Sequence, residues 1–186
     1  MNLTTIELIG AFIGLVYIFL EYRASGWLWI AGIVMSLFYI YIFVESNCYA
    51  WAFTYLYYLG ANVYGIVAWG KKHDDNSNIG ISALPQKYFL RLLAIIILLT
   101  VVLTPVLLLF TDTIIPISES FSTALSVIGM WLLAKKYLQH WYVWMGVNAI
   151  YTIANLWIGL YYTSLLFFVF FIVSVMGLVR WRKLAG

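Results

Sequence analysis

The chain has 186 residues, of which 65% are hydrophobic and 9% charged, with a formal net charge of +3. Such a composition lies far from that of a soluble domain and calls for lipid as the outer solvent, which leaves no place for a soluble catalytic domain or a nucleic-acid module. The single Cys48 rules out an internal disulfide and, with no His or Cys beside it, offers no metal site; it reads as a small packing residue near a helix end.

Seven apolar runs follow one another, each near the roughly 20 residues that cross a bilayer. The first spans Ile6 to Leu20 and ends at Glu21-Tyr22-Arg23; with Glu7 and no basic stretch ahead of it, no cleavable signal peptide is expected. The second, Trp27 to Val44, leads to the turn Glu45-Ser46-Asn47, and the third, Tyr49 to Trp69, ends at Lys71-Lys72. Residues 70–87 mix charge, Asn, Ser, Gly and Pro and read as a cytoplasmic linker in which His73 is solvated. The fourth run, 88–110, is rich in Leu and Ile, and Pro105 is placed to bend it. An outer loop with Asp112, Pro116 and Glu119 precedes three further runs, Phe121–Ala134, Trp141–Trp157 and Tyr162–Val179. His140, between the fifth and sixth, is expected in solvent.

All ten basic residues, Arg23, Lys71, Lys72, Lys87, Arg91, Lys135, Lys136, Arg180, Arg182 and Lys183, sit in alternate gaps between the runs. Cytoplasmic loops retain positive charge. The chain is therefore expected to cross seven times, with its N-terminus outside and its C-terminus in the cytosol.

The first and last trios of runs are alike. Gly65-Ile-Val-Ala-Trp69 followed by Lys71-Lys72 matches Gly177-Leu-Val-Arg-Trp181 followed by Arg182-Lys183. Trp27 and Gly32 match Trp141 and Gly146, and Gly14 and Gly129 stand at similar places. The expected architecture is all-α and integral to the membrane. It has a triple-helix bundle over 6–69, the linker 70–87, a linker transmembrane helix over 88–110 and a second triple-helix bundle over 121–181, the two bundles forming a parallel internal repeat. Repeats of this kind flank a midplane site in secondary transporters.

Two runs carry polar stripes. At about 100° per residue, Trp141, Trp144, Asn148, Tyr151 and Asn155 share one face of the sixth, and Trp51, Tyr55, Tyr58, Asn62, Gly65 and Trp69 share one face of the third. The second offers a weaker stripe, Trp29, Gly32, Ser36 and Tyr39. An amide in hydrocarbon is costly without a partner, so these faces should enclose a flat slot with aromatic walls. Such a slot suits a planar, polar cation: each aromatic face attracts a cation by about 0.5–2 kcal/mol, and Asn adds donors and acceptors without charge. The candidate substrate-binding residues are Trp144, Asn148, Tyr151, Asn155, Tyr55, Tyr58 and Asn62. Other readings stay open. Trp27, Trp69, Trp141 and Trp181 fit interfacial anchors, Asn62 and Asn155 fit bonds between helices, and Gly14, Gly32, Gly65, Gly129, Gly146 and Gly177 fit packing points.

No acid or base lies mid-run; Glu7, Glu21, Glu45 and Glu119 all stand near run ends. A buried proton relay is therefore not expected, and passive movement down a gradient is. No Gly-rich nucleotide loop is present, nothing calls for a cofactor, and no carboxylate pair or His/Cys cluster marks an enzyme. A membrane sensor or structural protein without transport is the reading from another class.

Five segments together resemble the PnuC family of bacterial vitamin transporters over about residues 6–184: Gly26-Trp27-Leu28-Trp29-Ile30-Ala31-Gly32-Ile33, Tyr64-Gly65 ending in Trp69, Ala124-Leu-Ser126 before Lys135-Lys136, His140-Trp141-Tyr-Val-Trp144-Met-Gly-Val-Asn148, and Gly177 to Trp181-Arg182-Lys183. The resemblance implies seven helices in a 3+1+3 arrangement related to the sugar-transporting SWEET proteins, in the bacterial cytoplasmic (inner) membrane. It implies facilitated diffusion of nicotinamide riboside, thiamine or riboflavin, with a cytosolic kinase trapping the vitamin by phosphorylation. It also implies that Trp144 and Asn148 line the site and that Tyr151 and Asn155 extend that face. Members that carry nicotinamide riboside commonly have Gln in the third span where Tyr55 stands here. That departure raises thiamine beside nicotinamide riboside, which leads as the family's best-represented substrate.

Overall fold

The computed structural model describes residues 3–70 and 80–185. Seven helices follow in order: α1 (Leu3–Tyr22), α2 (Leu28–Glu45), α3 (Tyr49–Gly70), α4 (Phe89–Phe110), α5 (Pro116–Ala134), α6 (His140–Trp157) and α7 (Tyr161–Ala185). A 3-10 turn over Gln86–Tyr88 leads into α4. Lys71, Lys72 and His73 lie outside the described residues, as does much of the expected linker. Its tail is anchored: Ser82 N–H donates to Lys136 O and Leu138 N–H to Ser82 O.

Two boundaries differ most from expectation: α7 runs on past Val179 to Ala185, taking in Arg180, Arg182 and Lys183, and the start of α5 moves. α5 starts at Pro116, five residues early, because proline at the first helical position lacks only an N–H that would have no partner there. The outer loop shrinks accordingly, and Glu119 falls in the first helical turn. α4 runs unbroken through Pro105.

Five helices, α1, α2, α4, α5 and α7, are long and apolar enough to cross a membrane by composition. α3 and α6 are as long, with 22 and 18 residues, but their Tyr, Trp, Asn and Gly lower the mean hydropathy. Those are the helices with polar stripes, and the stripes point inward, as the buried Trp51, Tyr55, Asn62, Trp141, Asn148 and Tyr151 attest. Burial against other helices lets a helix this polar sit among apolar ones.

The helices pack in a closed ring: α1 on α2, α2 on α3, α3 on α5, α5 on α6, α6 on α7, and α7 back on α1. α4 stands outside the ring against α5. Of its side chains only Leu107 is fully buried; one half-buried face packs on α5 and the remaining Leu- and Ile-rich surface is exposed, as suits lipid. Exchanging α1, α2 and α3 with α5, α6 and α7 leaves the ring order unchanged.

That exchange is exact in register. α2 and α6 begin and end 112 residues apart, at Leu28 and His140 and at Glu45 and Trp157. α3 and α7 begin at Tyr49 and Tyr161, and α1 and α5 end at Tyr22 and Ala134, again 112 apart. The turns obey the same interval. Ala24 and Lys136 share a positive φ of 53° and 57°, and Asn47 and Gly159 one of 57° and 81°. Each ends its helix in the same double bond to the last turn, for example Ser25 N–H to Leu20 O at 3.0 Å and Tyr137 N–H to Leu132 O at 2.9 Å.

This register moves three expected correspondences. Gly32 is equivalent to Trp144 rather than Gly146. The partner of Trp141 is Trp29, not Trp27. Trp29 lies on Gly65, and Trp141 on Gly177, so closely that a Cβ on either glycine would fall 2.3 or 2.5 Å from the indole. Trp29 meets Trp69 edge-on at 5.3 Å and 88°, and Trp141 meets Trp181 at 5.7 Å and 84°. Trp69, Trp141 and Trp181 are therefore buried packing groups rather than interfacial anchors. Only Trp27, 67% exposed, keeps that role. Gly14 and Gly129 are likewise not equivalent: by the same interval Gly14 pairs with Ser126.

The two seams between the trios differ. Across α3 and α5, Trp51 Nε1 donates to Ser122 Oγ at 2.8 Å, Thr54 Oγ1 to Thr123 Oγ1 at 2.9 Å, and Tyr57 OH to Val127 O at 3.3 Å. Across α1 and α7 Leu166 presses on Gly14 instead. One contact recurs in both. The buried Glu119 accepts from Ala50 N–H at 3.1 Å, and its equivalent Glu7 accepts from Thr163 N–H at 2.7 Å. Each carboxylate thus caps the positive N-terminus of a helix in the other trio.

Candidate functional site

All six helices of the ring, and not α4, line one cavity. Tyr17, Ile18 and Glu21 come from α1; Gly32, Met35 and Ser36 from α2; Tyr55, Tyr58 and Asn62 from α3. Across from them stand Met130 of α5, Trp144, Val147, Asn148 and Tyr151 of α6, and Phe167 and Phe170 of α7. The cavity volume between these side chains is ≈ 50 Å³, well below the range of small-molecule sites, so a small-molecule ligand enters only as the helices part. Twelve of the sixteen lining residues form six pairs at the 112-residue interval, such as Gly32 with Trp144, Ser36 with Asn148 and Tyr55 with Phe167. The cavity therefore sits on the axis relating the trios.

Rings form its walls. Tyr151 stacks on Trp51 at 4.4 Å and 21°, Tyr39 on Tyr55 at 5.1 Å and 23°, and Tyr58 meets Trp144 edge-on at 6.3 Å. The first of these stacks joins one trio to the other.

The polar groups are where the symmetry fails. In the second trio Asn148 Nδ2 donates to Ser174 Oγ at 3.1 Å, and Ser174 Oγ donates to Phe170 O at 2.7 Å. The equivalent positions in the first trio are Ser36 and Asn62, the same residue types in reversed order. Here no bond joins them. Ser36 Oγ donates to Gly32 O at 2.7 Å, and both amide atoms of Asn62 are buried without a partner. Gly32 makes room for that amide, since a Cβ there would stand 2.4 Å from Asn62 Oδ1. Leaving a buried polar group unpaired costs about 1–3 kcal/mol, so its presence in a cavity wall points to a ligand that completes it. Trp144 Nε1, the Tyr151 hydroxyl and Glu21 Oε1 are buried and unpaired in the same wall.

Six residues expected from the stripes, Tyr55, Tyr58, Asn62, Trp144, Asn148 and Tyr151, line this cavity. Asn155 does not. It lies one turn beyond Tyr151, fully buried, and its Nδ2 donates to Tyr151 O at 2.8 Å. The weaker stripe of α2 delivers Gly32 and Ser36. Sequence reasoning missed Tyr17, Phe167 and Phe170, because α1 and α7 carry no polar stripe, and it missed the charge. Glu21, read as a run-end residue, is buried in the cavity wall. His140, expected in solvent, has 0% exposure, and its Nε2 lies 3.5 Å from Glu21 Oε1. The available signal was the spacing of Tyr17 and Glu21, four apart on one face of α1. No group of three His, Cys, Asp or Glu able to hold a metal occurs among the described residues.

A ring of membrane-crossing helices around one aromatic cavity with unpaired polar atoms defines a multi-pass membrane protein that holds a small molecule. The family model described as nicotinamide mononucleotide transporter matches residues 4–183, and the chain belongs to that family. It is 24% identical over 205 residues to the nicotinamide riboside transporter PnuC of Escherichia coli (strain K12), covering 97% of this chain and 86% of that one. The PnuC of Shigella flexneri matches to the same extent. A crystal structure of the vitamin B3 transporter PnuC superposes with a TM-score of 0.80 at 18% identity, covering 98% of this chain and 81% of that one. The PnuC resemblance read from the sequence is thereby met, in family and in fold.

Proposed function

We propose that the chain is a facilitator of the bacterial inner membrane that takes up nicotinamide riboside. In this reading the trios over 6–69 and 121–181 are two bundles that rock about the cavity to open it to either side. The helix over 88–110 and the linker 70–87 join them in parallel. The N-terminus lies outside and the C-terminus in the cytosol, where a kinase traps the vitamin by phosphorylation. The observation that carries this reading is the on-axis cavity in which Asn62, Trp144 and Tyr151 present buried polar atoms with no protein partner. Aromatic walls of this kind attract a pyridinium ring, and a carboxamide and ribose hydroxyls would supply partners for the unpaired groups once the helices part to admit them.

Proteoliposome uptake tests it. Labelled nicotinamide riboside should enter vesicles without ATP or an ion gradient, and Asn148→Ala should lower the rate by roughly 5- to 100-fold, the loss of one buried hydrogen-bonding group. Unchanged uptake by Asn148→Ala, Trp144→Ala and Tyr151→Ala would remove the proposed site. Thiamine is the second reading. Tyr55, where the resemblance implies Gln, lines the cavity stacked on Tyr39 and offers a ring rather than an amide. Stronger competition by thiamine than by unlabelled nicotinamide riboside would favour it.

A further inference from the structure

The cavity wall holds one carboxyl group, and an imidazole from the other trio stands behind it. Glu21 Oε1 faces His140 Nε2 at 3.5 Å, within ion-pair range, and neither atom has a hydrogen-bond partner. Both side chains are buried. The imidazole is pinned, with Trp141 and Trp181 at 4.5 and 4.6 Å from its centre. Its Nδ1 lies 2.7 Å from Tyr137 O, and a carbonyl accepts only, so Nδ1 carries the proton. A neutral ring therefore turns the Nε2 lone pair toward Glu21, whereas a second proton makes it the carboxylate's counter-ion. Seen from the cavity, Glu21 is either bare or covered.

The surrounding charges are committed elsewhere. Arg180 of α7 lies over the Tyr22 ring at 4.8 Å, and Arg182 donates to Tyr142 OH. Beyond α5, Lys135 donates to Tyr64 OH, and Lys136 lies over the Trp69 ring at 4.4 Å. The Tyr17 hydroxyl of α1 hydrogen-bonds the Glu21 carboxyl, Tyr58 of α3 stands near it, and the titratable groups of α2, namely Tyr39, Tyr41 and Glu45, lie in the half of that helix away from Glu21. The 112-residue interval carries Glu21 to Leu133 and His140 to Leu28, both fully buried. Two leucines serve the scaffold there, so the charged pair answers to something other than packing.

We propose that Glu21 selects for positive charge in the cavity, and that a cationic ring and the second proton of His140 compete for its carboxylate. The inference rests on the reading of the cavity as a vitamin site. A cation that takes the carboxylate displaces the imidazolium proton to solvent, so its binding releases a proton, while binding of a neutral ring of the same shape does not.

Titration calorimetry on the purified full chain tests this with nicotinamide riboside and with benzamide riboside, in which carbon replaces the cationic ring nitrogen. Affinity for the cation should rise with pH wherever a proton is released, by up to about tenfold per pH unit. Buffers of differing ionisation heat should report release of a proton at the acid end. Benzamide riboside should bind more weakly, with neither effect. Glu21→Gln should bring the two ligands to similar affinity, and His140→Gln should keep cation binding but flatten its pH profile. Cation affinity that is flat with pH and free of buffer dependence in the unaltered chain overturns the proposal, as does a cation preference that survives Glu21→Gln. If neither riboside nor thiamine binds, the vitamin reading fails and this inference with it.

Discussion

Asn62 and Asn148 each belong to the Ser/Asn pair of their own trio, at opposite positions of that pair, and are treated oppositely. Ser174 holds Asn148, whereas Asn62 is left with both amide atoms unpaired over Gly32. Exchanging the first trio's pair, Ser36→Asn with Asn62→Ser, rebuilds in α2 and α3 the bonded arrangement of α6 and α7. The double variant should hold or raise the melting temperature, because an orphan amide worth about 1–3 kcal/mol is removed, and should lose vitamin binding by more than about tenfold. A thermal-shift assay and calorimetry on one sample measure both. Gly32→Ala should weaken binding without the gain, since its methyl pushes Asn62 out of place. At this scale the sequence was most legible where chemistry left least choice. An amide in an apolar helix has to face inward, so Asn62 and Asn148 could be placed, whereas Glu21 and His140, at helix ends, had solvent as an equally good partner until the fold closed over them.

Each trio is locked by an indole laid on a glycine. Trp29 on Gly65 joins α2 to α3, and Trp141 on Gly177 joins α6 to α7. Gly65→Ala and Gly177→Ala each place a methyl within 2.3 and 2.5 Å of an indole buried on all sides, and the aromatic neighbours Trp69 and Trp181 block its retreat. Overpacking of this kind costs typically about 1–3 kcal/mol. Both variants should lower the melting temperature in detergent by similar amounts, and Gly60→Ala, with no atom within 4 Å of its new methyl, should not. The helices themselves were legible as apolar runs, and the repeat was legible from Gly65 to Trp69 against Gly177 to Trp181. That match already carries the 112-residue register, but in α2 the register was missed, because Trp27 and Trp29 differ only in which face of the helix they occupy and both tryptophans fit the same short motif.

The two trios meet along seams that share a carboxylate cap and little else. Three side-chain hydrogen bonds join α3 to α5 besides the Glu119 cap. Between α1 and α7, Glu7 on Thr163 N–H is accompanied by the packing of Leu166 on Gly14. The chain's single thiol reports on one of these seams. Cys48 is buried at the start of α3, and that burial, with the neighbouring Glu119 carboxylate adding to it, pushes the thiol up from its ordinary range and suppresses the reactive thiolate. Alkylation of Cys48 therefore requires that end of α3 to come free. Glu119→Ala removes a cap worth about 0.5–2 kcal/mol and should speed labelling by roughly 2- to 30-fold. Glu7→Ala removes the equivalent cap from the other seam and should change the rate by less than about twofold, because contributions from separated sites without shared partners add independently. Equal acceleration by both variants would mean that freeing either seam frees the whole ring at once, so that the trios move as rigid halves and not seam by seam. A vitamin bound, as proposed, on the axis between them would then reduce labelling in both variants to the same degree.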